Sequence, residues 1–256
     1  LFIIAGAALV LCIVTAGGAI AIGGQDLQRH GWAWTFRDDD GDAVRFERVT
    51  TTTLEVEAVT RTLAWTGSQR LVNATPFDVE YRQGPTASVV ITGPRAWNDR
   101  VQLADGVLSL ADGPVNQEAV IRWSGGNVTG RSFDEAVRIV VTAPNINAFE
   151  VQGSGDLDIQ GYDQPALSVV VSGSADVTAQ GRTEALDVAI NGSGDAALKD
   201  LTTQTARVIV SGSGDVGVSP RAEANVTING SGDVSLGSRP ARLTSELNGS
   251  GEILQD

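Results

Sequence analysis

Acidic residues recur at a nearly constant spacing in the second half of the chain, and their side chains are the first candidates for chemistry. Each one closes a four-residue motif, which reads Gly-Ser-Gly-Asp in four of the six copies. The first glycines of successive motifs are separated by 20, 19, 20, 18 and 19 residues. The six acidic residues are Asp156, Asp176, Asp195, Asp215, Asp233 and Glu252.

Two functions fit a carboxylate at the end of a glycine-rich turn. The side chain can cap its own turn by accepting hydrogen bonds from backbone N–H groups, as Asp does in Asx-type motifs. The alternative is calcium, which takes carboxylate and backbone carbonyl oxygens as ligands. The glycine-rich calcium repeat recurs every nine residues, whereas this motif occurs once in about 19. We therefore predict turn capping, with calcium ligation by all six residues as the alternative and no other cofactor.

Nucleophilic and acid–base catalysis find few candidate residues in this chain. The single histidine, His30, precedes the repeats, and the single cysteine, Cys12, lies in an apolar run. A Ser-His-Asp triad or a cysteine nucleophile in the repeat region is therefore excluded. A polysaccharide-cleaving enzyme remains an alternative, because glycoside hydrolysis needs paired carboxylates. Against it, every repeat offers the same carboxylate, and Tyr162 is the last aromatic residue after Phe149.

The segments around each motif determine where these carboxylates lie. Apolar and polar residues alternate on both sides of the motifs, which is the pattern of a half-buried strand. A repeat of about 19 residues is too short for a βαβ unit, so successive repeats must stack as parallel strands. The sequence therefore predicts an all-β fold, with a right-handed parallel β-helix (a β-solenoid) of about 19 residues per coil in its C-terminal half.

The first part of the chain differs in character from the repeats. Residues 1–22 carry no charge, and as a helix they would span about 33 Å, close to the thickness of a bilayer core. We predict one transmembrane anchor there, with a cleaved secretory signal as the alternative. The remaining chain divides into a linker over 23–43, an irregular β-rich part of the solenoid over 44–150, and regular coils over 151–256. Both interpretations put the folded part outside the cytoplasm.

Composition limits the class of partner. Hydrophobic residues make up 42% of the chain and charged residues 19%, which is enough to form a core. The formal net charge is −13, so nucleic acid is not an expected partner, because its recognition depends on Lys and Arg that neutralise phosphates.

Two segments resemble a known bacterial family. One runs from Ala87 to Leu110 and contains Trp97-Asn98-Asp99-Arg100-Val101; the other runs from Val137 through Phe149 to the first Gly-Ser-Gly-Asp motif. With the repeated motif, they are similar to the family called putative auto-transporter adhesin, head GIN domain, over roughly residues 44–254. The resemblance implies an extracytoplasmic β-helical domain of the cell envelope, and it supplies no catalytic residues.

The sequence thus predicts a membrane-anchored, extracytoplasmic β-helical module with a binding or adhesion-like role in the bacterial cell envelope and without catalytic activity. The expected location is the periplasmic or extracellular side of a membrane. The expected partners are that membrane, through the N-terminal helix, and an envelope protein, an envelope glycan or further copies of the chain. A structural or oligomeric scaffold is the first alternative, and a polysaccharide-active enzyme is the second.

Overall fold

The computed structural model describes residues 33–37, 43–47, 58–65, 69–111, 120–124, 127–131 and 137–255. Its strands are β1 (Ala33–Arg37), β2 (Ala43–Glu47), β3 (Ala58–Ala64), β4 (Arg70–Asn73), β5 (Asp78–Gln83), β6 (Ser88–Pro94), β7 (Val101–Ala104), β8 (Val107–Leu110), β9 (Val120–Ser124), β10 (Asn127–Arg131), β11 (Arg138–Ala143), β12 (Ala148–Gly153), β13 (Leu157–Gly173), β14 (Val177–Gly192), β15 (Ala196–Gly212), β16 (Val216–Gly230), β17 (Val234–Leu236), β18 (Arg242–Leu247) and β19 (Ile253–Gln255). A single helical turn, α1 (Arg95–Asn98), follows β6.

The N-terminal segment is outside this description. The anchor predicted over residues 1–22 falls on residues that the structure does not describe. Within the described ranges, no helix is both long enough and apolar enough to cross a membrane. The predicted boundaries of anchor, linker and solenoid therefore stay predictions.

The chain forms two compact units, residues 1–55 with 114–133, and residues 56–113 with 134–256. In the first unit the described backbone consists of two antiparallel hairpins, β1 with β2 and β9 with β10. In the second unit all the other described strands belong to one 15-stranded sheet.

The repeats form the regular part of that sheet. The strands β13 to β16 have 15 to 17 residues each, and every one pairs in parallel with the next. The first glycines of the motifs are in register, so that Gly173 lies beside Gly153 on one side and Gly192 on the other. Each strand thus runs from one corner to the next and makes one lap of a coil. The predicted all-β solenoid is confirmed, with about five turns.

Alternation along each strand directs the apolar side chains inward. Residues at equivalent positions of successive coils stack into rows whose side chains are fully buried. One such row consists of Val169, Val188, Val208 and Val226. Because the row continues from coil to coil, each coil covers the apolar face that its neighbour cannot bury alone.

Glycine is favoured at the corners because successive backbones approach closely there, although Ala175 occupies the third position of one motif. Gly192 has φ +152°, and a Cβ atom at this position would lie 2.2 Å from the carbonyl oxygen of Gly173. A Cβ atom on Gly194 would lie 2.0 Å from the carbonyl oxygen of Ala175. The glycines of the motif therefore permit the stacking itself, in addition to the turn.

The strands β4 and β5 form an earlier coil that lies inside the stack. Leu71 pairs with Phe149, and Val79 pairs with Leu157. In the sequence this coil therefore lies 78 residues before the coil of β12 and β13 that it contacts. Asp78 and Asp156 are separated by the same number of residues. On its other side, β4 pairs with β8 and β5 pairs with β11, both of which come later in the chain. Antiparallel pairs of β7 with β8, β6 with β11 and β3 with β6 complete this end.

Aromatic rings fill the core where the early coil meets the repeats. The ring centroids of Tyr81 and Phe149 are 4.9 Å apart, and those of Phe149 and Tyr162 are 6.4 Å apart, both in edge-on contact. The hydroxyl of Tyr81 donates a hydrogen bond of 2.8 Å to the carbonyl oxygen of Ala143. Burial raises the pKa of Tyr81 to about 12, so the ring stays neutral and packs as a core residue.

Candidate functional site

The acidic residues of the motif form one continuous ladder along an edge of the solenoid. The Oδ1 atom of each Asp accepts a hydrogen bond from the backbone N–H of the equivalent residue in the next coil. These bonds measure 2.9 Å from Asp176 to Asp156, 3.0 Å from Asp195 to Asp176, 2.8 Å from Asp215 to Asp195, 2.8 Å from Asp233 to Asp215, and 2.7 Å from Glu252 to Asp233. We call this row of side chains the corner ladder.

The corner ladder differs in one respect from the capping that we expected. Each carboxylate accepts an N–H from the next coil, whereas the sequence suggested an N–H from its own turn. The backbone also links the coils of Asp176 and Asp195, because Val177 N–H donates to the carbonyl oxygen of Asp195 at 2.8 Å. Each aspartate therefore joins two coils.

The corner ladder begins one coil earlier than the motif. Asp156 N–H donates to Oδ1 of Asp78 at 3.0 Å, and Asp78 closes the segment Thr75-Pro76-Phe77-Asp78, which carries no Gly-Ser-Gly pattern. Asn73 supports this first corner from the inside, where its Nδ2 donates to the carbonyl oxygen of Phe77 at 2.9 Å. Sequence analysis missed Asp78, and the alternation of Val79 and Tyr81 after it was the available signal.

Calcium ligation by the corner ladder stays the untested alternative to capping. Among the residues that the structure describes, no group of three or more His, Cys, Asp or Glu is arranged to hold one metal ion. One oxygen of each carboxylate from Asp78 to Asp233 already accepts an N–H hydrogen bond.

A buried carboxylate lies beside the first steps of the corner ladder. The side chain of Glu80 is 5% exposed and bonds to the guanidinium groups of Arg138 and Arg82. These bonds hold the pKa of Glu80 below its ordinary value, the bond to Arg138 contributing most. Glu80 also borders an open groove of about 460 Å³ that reaches Asp156 and Thr178. Because both arginines neutralise it, this carboxylate serves as a structural ion pair.

The largest groove that we describe lies on the middle segment of each coil, about halfway between one corner and the next. It has a volume of about 870 Å³ and crosses several coils. Its polar lining includes Asp163, Gln164, Arg182, Thr202, Gln204 and Arg221. We call it the return groove. The neighbouring positions Asp163, Arg182 and Thr202 are in register and differ in chemistry from coil to coil.

One ion pair organises the return groove. Arg182 donates through Nε and Nη2 to the two carboxylate oxygens of Asp163, at 2.7 and 2.6 Å. This fork of bonds lowers the pKa of Asp163 and raises that of Arg182. The backbone N–H of Asp163 donates to the side chain of Gln83 at 2.7 Å, which ties the groove to the early coil. A polar surface of this kind can hold a ligand through hydrogen bonds.

A third groove, of about 480 Å³, lies on a neighbouring face. Its lining is more apolar and includes Ala148, Leu167, Leu186 and Ala206, with Arg207 and Asp187 3.5 Å apart at its rim. His30 and Cys12, which the sequence excludes from catalysis in the repeat region, lie outside the described residues.

Comparison with known proteins identifies the family of this fold. Residues 69–240 match the family model described as putative auto-transporter adhesin, head GIN domain. The chain belongs to this family. The resemblance found in the sequence is therefore confirmed, and membership in the head GIN domain family indicates a cell-envelope or extracellular protein. No curated protein matches the chain.

Solved structures share the architecture. A putative adhesin from Bacteroides fragilis has a TM-score of 0.58 at 18% identity, over 78% of this chain and 97% of its own. A putative lipid binding protein from Parabacteroides distasonis has a TM-score of 0.48 at 17% identity, over 79% of this chain and 98% of its own. At 18% identity, the likeness to the Bacteroides fragilis protein shows that the two proteins share a fold, and it shows no more than that.

Proposed function

We propose that this head GIN domain is a non-catalytic, adhesion-like binding module on the outer side of a bacterial membrane, held there by residues 1–22. Its coil is right-handed, as parallel strand connections almost always are. The ligand is an extended molecule that lies along the return groove and contacts several coils. An envelope glycan and an envelope protein are the two candidate classes.

The observation that carries this proposal is the contrast between repeated and unrepeated positions. The corner and the inward rows keep the same residue types from coil to coil because stacking requires them. The return groove keeps no such uniformity, since an acidic, a basic and a hydroxyl side chain follow one another at Asp163, Arg182 and Thr202. Core packing does not require that variety, and beyond the Asp163–Arg182 ion pair it suits recognition of a ligand that spans the coils.

A binding assay with matched arginine variants tests the proposal. The full chain, purified in detergent, is exposed separately to protein-free envelope glycan and to glycan-free envelope protein. We expect one of the two to bind, and we expect Arg182→Ala and Arg221→Ala each to weaken that binding about tenfold or more, as for a lost charge-assisted hydrogen bond. The control is Arg207→Ala, on the third groove, which should bind normally.

Other outcomes of this assay would contradict the proposal. Loss of binding in Arg207→Ala alone would move the site to the third groove. Binding of neither preparation would remove the adhesion-like function and favour the scaffold alternative.

Anchoring is tested separately in bacterial cells. Externally added protease should cleave the folded part in spheroplasts, and membranes should retain the full chain after a high-salt wash. A variant without residues 1–22 should be absent from washed membranes. Protection from protease, or recovery in the soluble fraction of the full chain, would refute the proposed location.

A further inference from the structure

Exposed apolar side chains are concentrated at one end of the solenoid. Among residues whose burial the structure describes, the large hydrophobic side chains that are exposed are Leu243 (41%), Leu247 (46%) and Leu254 (50%). All three belong to the last described coil, where Leu254 lies on the outer face beside Ser235. Leu243 and Leu247 continue the inward rows of Ala224 and Ile228, which are themselves fully buried. The open end of the core is thus apolar.

The strand that carries two of these leucines is an edge strand. In the described part of the chain, β18 pairs with β16 on one side and with no strand on the other. Its outer edge therefore presents unpaired backbone N–H and C=O groups beside exposed leucines. Such an edge is a template for pairing with another strand.

The charges on β18 specify which strand fits. Arg242, Thr244 and Glu246 point away from the core, as do their register partners Glu223, Asn225 and Thr227. If a second β18 pairs in antiparallel register centred on Thr244, Arg242 faces Glu246 of the partner subunit, and the reciprocal pair forms as well. A parallel in-register pairing would instead bring like charges together, which is unfavourable.

We propose that a second copy of this chain docks on β18, so that two solenoids join end to end about a two-fold axis through Thr244. The contact is isologous, with the same surface contributed by each copy. It pairs the free strand edges, forms two Arg–Glu cross-strand pairs, and covers Leu243 and Leu247 at the core end of each copy. This inference is independent of the ligand proposed for the return groove.

A charge exchange tests the pairing in the full chain. In detergent, analytical ultracentrifugation should give the mass of a dimer for the unaltered protein. Glu246→Arg should raise the dimer dissociation constant at least about tenfold, because both cross-strand pairs become like-charge pairs. The double variant Arg242→Glu with Glu246→Arg should restore the dimer, since the pairs are only reversed. The control Glu184→Arg introduces the same charge at an exposed position in the middle of the stack and should leave the dimer intact.

Disulfide trapping provides a second measurement that does not depend on affinity. In a Cys12→Ser background, Thr244→Cys should give a covalent dimer on mild oxidation, because facing residues of an antiparallel pair have Cα atoms about 4.5–5.5 Å apart, within disulfide range. The control Asn225→Cys lies one coil inside. Its two copies would be separated by about three strand spacings, roughly 14 Å, which is too far to cross-link.

Three results on the dimer and its charge variants would overturn the inference. They are a monomeric mass at all concentrations, a dimer that Glu246→Arg does not weaken, and a charge exchange that fails to restore a folded variant. Masses beyond the dimer would also overturn it, because a head-to-tail contact builds open filaments, whereas a two-fold contact closes.

Discussion

At the scale of single residues, the corner aspartates act between coils. Each Oδ1 accepts the backbone N–H of the next acidic residue in the row, at distances from 2.7 to 3.0 Å. Neighbouring carboxylates at coil spacing repel each other. The hydrogen bonds to backbone N–H groups and the surrounding water offset that repulsion, because these corners are exposed.

Removal of one carboxylate from the corner ladder should have a small, measurable cost. We expect Asp195→Ala to lower the free energy of unfolding by about 1 kcal/mol, since Asp215 N–H then loses its acceptor. Asp195→Asn keeps an acceptor oxygen and removes a repelling charge, so it should be close to neutral. Urea unfolding measures both. Asp187→Ala, which removes only an exposed ion pair with Arg207, should cost less than Asp195→Ala, and equal costs would contradict the role of the corner ladder.

The calcium alternative makes the opposite prediction to capping. A metal that binds the folded state raises the melting temperature with concentration. We expect the melting temperature to be the same in EDTA and in millimolar calcium, because each carboxylate already serves a backbone N–H. A calcium-dependent rise that Asp195→Asn and Asp215→Asn abolish would establish a metal site instead.

The first glycine of each motif should tolerate no side chain. Gly192→Ala places a Cβ atom 2.2 Å from a backbone oxygen at φ +152°, so we expect a loss of at least about 3 kcal/mol in unfolding free energy. Gly161→Ala is the control, since φ is +65° there but no atom lies within 4 Å of the added carbon. It should cost about 1–2 kcal/mol. A similar loss in both variants would show that close stacking is not the reason for glycine.

At the scale of elements, the solenoid depends on one apolar and one polar face per strand. Ile190 points into the core and is fully buried, whereas Ile209 lies on the outer face of the adjacent strand and is half-buried. The same residue type therefore has two different environments within neighbouring coils. This contrast follows from the two-residue period of a strand, which sends successive side chains to opposite faces.

Alanine at these two positions should separate inward from outward packing. We expect Ile190→Ala to cost about 2–5 kcal/mol, because it leaves a cavity in a continuous row. Ile209→Ala should cost less than about 1.5 kcal/mol, since that side chain remains partly in contact with water. Denaturant midpoints of the two variants provide the comparison, and equal values would contradict the assigned faces.

At the scale of the whole molecule, the second unit is held together by contacts between paired strands that are far apart in the sequence. Glu80 on β5 bonds to Arg138 on β11, a strand that lies 58 residues later. This bond links the early coil to β11, the strand that pairs with β5 on the side away from the repeats. The repeats cover its other side through β12 and β13.

The Glu80 ion pairs should make stability depend on pH. Because the pKa of Glu80 is lowered in the folded protein from 4.5, its contribution is present above the unfolded pKa and is lost as pH falls through the folded value. The urea midpoint should therefore decrease below about pH 4.5. Glu80→Gln should be less stable at pH 7 and should show a weaker dependence in this acidic range. The exposed control Glu184→Gln should keep the full dependence, and an unchanged profile for Glu80→Gln would refute the assignment.

The sequence by itself determined the regular half of this protein. The 19-residue repeat and the two-residue alternation specify which side chains face the core, that successive coils run in parallel, and that the motif residues fall into rows. These features depend on local periodicity, which a single chain displays without any knowledge of distant contacts. The resemblance carried by residues 87–110 and 137–156 indicated the family for the same reason.

Only the tertiary structure decided the features that join distant segments. The coil formed by β4 and β5 lies in the stack between strands that come later in the chain. The repeated motif is absent from this coil, so the sequence pattern did not predict its place. Asp78 joins the corner ladder although its corner lacks the motif, and Glu80 on β5 bonds to Arg138 on the paired strand β11. Each of these depends on a contact over more than 50 residues, where the free energy comes from packing and register between segments rather than from the order of neighbouring residues.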